Sequence, residues 1–282
     1  MHGIQNKEIT DISDIDWDDL IKIQRKRKPE KRERGPQYWD KRAISFADHV
    51  GRTTYPDAFL KIMEPQDSWT VLDMGCGGGT LSLPLAHMVK DITAVDFSEK
   101  MLEMLGAEIQ RRGITNIKTV NAGWEDDWSE KHIGIYDVAI ASRSLSVDDL
   151  HAAIIKLNRA SRKRVYISTV VGDGPLDRRI FDAVGRELIP AVDYIYIYNL
   201  LFQMGIHANV SFIEEENVKT FYDVNSAKDA LKWMLHEMTI NEEYKLDLYL
   251  QENMIIKDGK NIFDYKKTFK WAVIWWDKGS QE

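Results

Sequence analysis

Hydrophobic positions along this chain fall into two alternating kinds of run. Short, nearly continuous apolar stretches rich in β-formers occur around Val71 and Leu72 and across residues 92–95, 117–120, 136–141, 164–171, 208–213 and 269–276. Between them lie longer segments with apolar residues at helical spacing, at 55–63, from Thr80 onward, after Ser98, across 147–160 and 177–188, and up to Gly205. Parallel strands buried on both faces read as continuous apolar runs, and strands alternating with helices build a doubly wound α/β sheet. Seven strands are therefore predicted, with helices on the sheet faces. Residues 1–34 read as an appended piece, amphipathic around Ile15, Trp17, Leu20 and Ile23, and 35–54 continue it as a helical extension. Residues 214–267 are too long for a plain loop and carry helical patterns at Ala227, Leu231, Met234, Leu235 and Met238 and at Tyr244, Leu246, Leu248 and Leu250. The predicted organisation is an N-terminal extension over 1–54 and a sheet domain over 55–282. Insertions at about 175–188 and 214–267 are expected to cap that domain.

Composition adds limits to this picture. Of 282 residues, 44% are hydrophobic and 29% charged, as in a soluble globular protein. No apolar segment is long enough to span a bilayer, and the polar, acidic first residues do not read as a signal peptide. One cysteine excludes a disulfide within the chain and a Cys-rich zinc site, and no metal is expected. A cytoplasmic protein follows as the expectation. The net charge of −7 argues against an extended nucleic-acid surface. Residues 22–34 argue the other way, with eight basic residues and two acids. That segment either holds a phosphate-rich partner or is a solvated, partly disordered helix; no aromatic platform is interleaved with it.

The candidate chemistry centres on Thr70-Val-Leu-Asp73-Met-Gly75-Cys76-Gly77-Gly78-Gly79. A strand turning through glycines into a helix brings bare backbone and a helix N-terminus up to a ligand. The dinucleotide fingerprint would need glycines at 75, 77 and 80, and position 80 is Thr. The spacing here is D-x-G-x-G-x-G over Asp73, Gly75, Gly77 and Gly79. A second acid, Asp96, ends the next strand 17 residues past Gly79, with Phe97 beside it and Ser98 as N-cap of the following helix, and Phe97, Ser98 and Met101 join Asp96 as cofactor-binding candidates.

In these two motifs the chain resembles the class I methyltransferases that use S-adenosylmethionine (SAM). The resemblance covers roughly 55–213 plus 269–277. It implies a mostly parallel seven-stranded sheet of order 3-2-1-4-5-7-6 with the last strand antiparallel, and SAM as cofactor, released as S-adenosylhomocysteine. It implies that Asp73 and the loop amides of Gly75, Cys76, Gly77 and Gly79 meet the methionine end, and that Asp96 takes the ribose hydroxyls. Gly123, Trp124 and Glu125, after the third strand, would line the adenine, where the family more often shows Asp-Ala; a solvent-facing tryptophan is the alternative. Ser142 and Arg143 end the fourth strand at the same edge. Tyr38-Trp39-Asp40, with Lys41 and Arg42 after it, matches a Tyr-Trp-Asp region that folds over the cofactor in such enzymes, which makes Tyr38, Trp39 and Arg42 candidates for the cap; the alternative is that Tyr38 and Trp39 anchor a helix to the core. Tyr55, Tyr198 and Asn199 are candidates for the acceptor side, with packing as the alternative for the Tyr194, Tyr196, Tyr198 series. His151, inside a helix, and His207, at the far edge of strand six, read as structural. Cys76 reads as a packing residue.

Methyl transfer is an in-line displacement in which the protein mainly aligns the reactants and excludes water, so no catalytic residue is identified. Residues 141–145, Ala-Ser-Arg-Ser-Leu, lack the Pro-Pro signature of adenine and glutamine methylation, and no Pro-Cys nucleophile exists. A small-molecule acceptor is the expectation. A non-catalytic SAM-binding scaffold and a tRNA methyltransferase using residues 22–34 are the alternatives. The oligomeric state is open.

Overall fold

The computed structural model describes residues 10–27, 35–40, 53–216, 220–235 and 237–279. Its main sheet uses β1 (Thr70–Met74), β2 (Asp91–Asp96), β3 (Ile117–Asn121), β4 (Tyr136–Ser142), β5 (Ser161–Val170), β6 (Asn209–Glu216) and a last strand, Thr268–Asp277. These are the seven apolar runs of the sequence, displaced by at most a few residues. In space the strands lie in the order β3-β2-β1-β4-β5, then the last strand, then β6. The register is parallel through the centre, with Val71 beside Ile92 and Val138, and Asp73 beside Ala94 and Ile140. The last strand is antiparallel: Val171 N–H donates to Lys270 O, and Lys278 N–H donates to Lys163 O.

The order puts β1 and β4 at the middle, and their sequences explain why. Val71, Leu72, Val138, Ala139, Ile140 and Ala141 are completely buried. All six are apolar, and all but Leu72 are small or β-branched, as strands covered by helices on both faces require. Asp137 faces the start of β1, where its carboxylate accepts from the Thr70 amide and hydroxyl at 2.9 and 3.0 Å. The flanking helices are bounded by their own sequence signals. Glu99–Arg112 starts at a Ser98 cap and stops at Gly113 with φ 64°. Leu150–Arg159 starts at an Asp149 cap. The helix after the glycine loop is shorter than the sequence pattern suggests: Pro84 lies within it and it spans only Ser82–Leu85.

The chain divides into two compact units. The first holds residues 1–169, 192–213 and 272–282 and contains β1 to β4; the second holds 170–191 and 214–271. In the first unit the described part of the N-terminal extension, residues 10–27 and 35–40, makes specific contacts. Helix Trp17–Lys26 buries Ile21, and Trp17 packs edge-to-face on Tyr196 at 6.0 Å. Arg25 of the basic segment donates to the carbonyls of Leu145, Val147 and Asp148. The expectation of a solvated, partly disordered helix is corrected at Arg25, which is held on a cluster of loop carbonyls, whereas Ile23, Lys26 and Arg27 are exposed. Residues 28–34 lie outside the described region.

The second unit also departs from an all-helical insertion. Helices Arg178–Val184, Val224–Leu235 and Ile240–Asn253 are joined by β7 (Thr220–Phe221), β8 (Met254–Lys257) and β9 (Lys260–Phe263), in the order β7-β9-β8. Asp258 and Gly259, with φ of 50° and 73°, form the two-residue turn between β8 and β9. Both dihedrals are positive, as the primed hairpin turns demand. The core of this unit includes Ile180, Phe181, Leu231, Leu235, Leu246 and Leu250.

Candidate functional site

The site is built where β1, β2 and β4 end. Asp73, next to last in β1, is 2% exposed and accepts from Ser82 Oγ at 2.6 Å. Burial pushes its carboxyl up to about 6, the Ser82 bond works against that, and the neighbouring Asp96 charge adds to it. The chain then turns through Gly75, Gly77 and Gly79 with φ of 74°, 54° and 88°, a region costly for any residue with a Cβ. At Gly75 a Cβ would also lie 2.3 Å from Ser144 Cβ, and at Gly79 2.5 Å from Leu105 Cδ1. These two glycines are required by close approach as well as by backbone conformation.

The loop is held against the end of β2. The amides of Gly75 and Cys76 both donate to Val95 O, at 2.7 and 2.9 Å. Gly77 N–H donates to Asp96 Oδ2 at 2.8 Å, and Ser98 N–H to Asp96 Oδ1 at 2.9 Å. Asp96 is 5% exposed, and burial raises its carboxyl above the usual range although three backbone amides pull it down. Each of its oxygens keeps a further lone pair for a ligand hydroxyl. Ser98 caps the next helix by accepting from Met101 N–H at 3.2 Å and donates its own hydroxyl to Asp40 Oδ1 at 2.6 Å. That bond ties helix Pro36–Asp40 to the loop after β2, with Tyr38 and Trp39 edge-to-face at 5.4 Å. Arg42 lies outside the described residues. Cys76 is buried, and burial pushes its thiol well above the ordinary value, which leaves it without thiolate character.

After β3, Gly123 N–H donates to Asp126 Oδ2 at 2.7 Å, and a Cβ on Gly123 would touch both Phe97 and Glu125. Half-buried Trp124 is fixed by its indole N–H, which donates to Ser144 O at 3.2 Å. Ser144 Oγ in turn donates to Met74 O at 2.7 Å. Lys156 Nζ donates to Trp124 O at 2.8 Å and sits 4.7 Å above the Trp128 ring. One serine thus links the glycine loop, the segment after β3 and the segment after β4.

At the end of β4 the hydroxyl of Tyr55 lies 2.7 Å from Ser142 Oγ and 2.6 Å from Ser168 Oγ. Arg143 has φ of 57°, its amide donates to Ser168 Oγ at 3.1 Å, and its guanidinium stacks 4.1 Å from the Tyr55 ring centroid. A non-glycine residue in this conformation persists only where its surroundings over-determine it.

The sequence candidates therefore gather into two clusters. Asp73, the glycines, Asp96, Phe97, Ser98, Met101, Gly123, Trp124 and Glu125 surround the ends of β1 to β3, and Tyr55, Ser142 and Arg143 surround the end of β4. Tyr198 and Asn199 join neither cluster through any bond among the described residues. Tyr198 donates to Ala208 O, beyond the end of its helix, at 3.2 Å, and Asn199 donates to Ile195 O within the helix at 2.8 Å, while Tyr194 packs on Phe212. His207 packs on Phe202 and His151 lies in helix Leu150–Arg159. Ser144 and Ser168 were not singled out by the sequence, and Asp40 entered only as the third residue of the Tyr-Trp-Asp stretch. Of the two serines only Ser168 carried a signal, as a hydroxyl near the end of an apolar strand.

Comparison with known proteins agrees with this geometry. Residues 71–164 match the family described as the methyltransferase domain. An uncharacterized protein of Haemophilus influenzae is 36% identical over 247 residues, which span 86% of this chain and 89% of its own. The ubiquinone biosynthesis O-methyltransferase of Vibrio parahaemolyticus is 25% identical over 193 residues, 67% of this chain and 77% of its own. A solved Bacillus halodurans structure, named as a methyltransferase, superposes with a TM-score of 0.55 at 13% identity over 79% of this chain and 98% of its own, a likeness of fold. The chain belongs to the class I SAM-dependent methyltransferases, with SAM as cofactor. Among the described residues no helix is long and apolar enough to cross a membrane.

Proposed function

We propose that this protein transfers the methyl group of SAM to a small-molecule acceptor, with the cofactor held at the ends of β1 to β3. The observation that carries this is the Asp96 carboxylate, which binds the Gly77 amide of the glycine loop and keeps lone pairs for a ligand's vicinal hydroxyls. The donor set suits SAM on three further counts. Buried Asp73, with one serine partner, complements an ammonium; glycines lacking Cβ atoms leave room for a methionine tail; and Trp124, fixed through Ser144, offers a flat face to adenine. SAM supplies a sulfonium-activated methyl group, so the chain's own residues need only orient it, exclude water and present the acceptor.

Within that frame the roles follow from position. Asp96, with Ser98 and Phe97, would fix the ribose and Gly123, Trp124 and Glu125 the adenine. Asp73 and the 75–79 loop would fix the amino-acid end. Ser142 and Arg143 would face the reacting end from β4, with the fully buried Tyr55 holding both of them from behind. Tyr38 and Trp39 belong to the segment placed by Asp40 against Ser98, and would cover the cofactor. The similarity to ubiquinone biosynthesis O-methyltransferases supports a small acceptor. The commitment of Arg25 to backbone carbonyls and of Lys22 to Asp18 supports it too, because it removes two cations from the 22–34 segment that an RNA would need.

The test is to incubate the protein with metabolite extracts, with total tRNA and with SAM labelled on its methyl carbon. Label in a low-mass product is the expected result. Label in tRNA alone would contradict the reading.

A further inference from the structure

A cavity of about 250 Å³ lies wholly within the second unit and involves none of the residues discussed so far as ligands of SAM. At roughly 30 Å³ per water it has room for about eight waters, or one molecule the size of benzoate. One wall is the tight turn after β5. There Gly174 N–H donates to Val171 O at 3.1 Å, and Gly172 and Gly174 take φ of 58° and 60°. The facing wall is Lys267, Thr268, Phe269 and Lys270, with Glu214 completing the rim. Val171 N–H joins the two walls by donating to Lys270 O at 3.1 Å.

The charges around this cavity are almost all committed. Asp173 accepts two bonds from Arg178, at 3.0 and 2.6 Å. Glu214 pairs with Lys270 at 3.4 Å, Glu215 accepts from the Trp271 indole at 2.6 Å, and Glu216 pairs with Lys266 at 3.1 Å. Asp177, which lines a second, smaller hollow together with Lys267, is held by two bonds from Arg179, at 2.9 and 2.8 Å. Half-buried Lys267 lines the cavity and has no hydrogen bond or ion pair among the described residues. A half-buried lysine with no partner among the described residues, whose neighbouring carboxylates are engaged, is a seat for one negative charge. Asp173 and Glu214 on the rim disfavour a second negative charge, which selects a monoanion over a phosphate. Half-buried Phe269, packed edge-to-face on Trp271 at 5.8 Å, gives the cavity one apolar surface.

We infer that this cavity binds a small monocarboxylate with a flat or apolar body, its carboxylate on the Lys267 ammonium and its body against Phe269. The inference concerns the second unit alone and does not depend on methyl transfer.

Sodium benzoate is the probe, titrated into the full-length ¹⁵N-labelled protein. Amide shifts concentrated at Gly172, Gly174 and residues 267–270, saturating in the millimolar range, are expected. Neutral benzamide and inorganic phosphate should bind about tenfold more weakly or not at all. Lys267→Met should weaken benzoate by about tenfold or more, Lys267→Arg should retain it, and both should bind S-adenosylhomocysteine as the unaltered protein does. Benzamide or phosphate binding as tightly as benzoate in the unaltered protein would overturn the inference, and that comparison needs no variant to fold. Benzoate shifts that are absent, scattered over the surface or unchanged in Lys267→Met would overturn it as well. Loss of S-adenosylhomocysteine binding in Lys267→Met would show a structural role for the lysine and would also overturn it.

Discussion

The amide of Gly77 donates to the carboxylate of Asp96 at 2.8 Å, so the acid that ends β2 clamps the loop that leaves β1. This contact joins two motifs separated by 19 positions, and it gives Asp96 two jobs. Asp96→Ala is expected to weaken SAM binding by about 1.5–3 kcal/mol, the range for hydrogen bonds to a charged group. Because the carboxylate is buried and holds Gly77 and Ser98, the melting temperature should also fall, without loss of the fold. Calorimetry and thermal denaturation on the same samples check both effects, and wild-type affinity in the variant would remove Asp96 from the ribose role.

Gly75→Ala would put a Cβ 2.3 Å from that of Ser144 while forcing alanine to φ 74°. The expected loss is about 2–4 kcal/mol of unfolding free energy, combining left-handed strain with overpacking. Against the Ser144→Gly single variant, which by itself loses the bond to Met74 O, the added Gly75→Ala should cost only the backbone part. Urea unfolding of the single and double variants separates the two.

If Asp73 takes the ammonium of SAM as proposed, affinity is expected to depend on pH. Its carboxyl, pushed up to about 6 by burial, carries a proton below that value, whereas pairing with a ligand ammonium requires the ionised form. Affinity should therefore rise from pH 5 to pH 7, with a limiting slope of about tenfold per pH unit below 6. Stability of the unliganded protein should move oppositely. A folded-state value above the unfolded one favours the folded state at low pH, and that contribution is lost as pH rises from about 4 to about 6. Asp73→Asn should flatten both profiles, as calorimetry and urea titrations across the range would show.

Tyr55→Phe removes a fully buried hydroxyl shared by Ser142 and Ser168. A cost of about 1–3 kcal/mol is expected, because the two serines lose a partner in a dry site. Equilibrium unfolding checks the size. A cost near zero would mean that water replaces the hydroxyl and that Arg143 is positioned by other groups.

The sheet was legible in the sequence because its strands are buried on both faces and hence almost uninterrupted apolar runs. The antiparallel last strand was read from resemblance, since Phe269 to Trp276 does not by itself reveal direction. Asp73, the glycines and Asp96 were legible because a turn without Cβ atoms and a strand-end acid leave compositional marks. Ser144 left none: its role comes from folding back onto Met74 O, a contact across 70 positions. The aromatic residues at 194, 196 and 198 have a period of two, yet they occupy a helix, because packing onto Trp17 and Phe212 decided their environment. The β8–β9 hairpin was overlooked although Asp258-Gly259 between Ile256 and Asn261 is a turn signal; the helical pattern preceding it dominated the reading of 214–267.

The central claim is that the 73–79 loop and Asp96 form a SAM site and not a dinucleotide site. Calorimetry with S-adenosylhomocysteine, SAM and NAD on one preparation tests it most directly. The account predicts micromolar binding of the first two and no measurable heat from NAD, because Thr80 stands where a dinucleotide fold places its third glycine. NAD binding more tightly than SAM would contradict it.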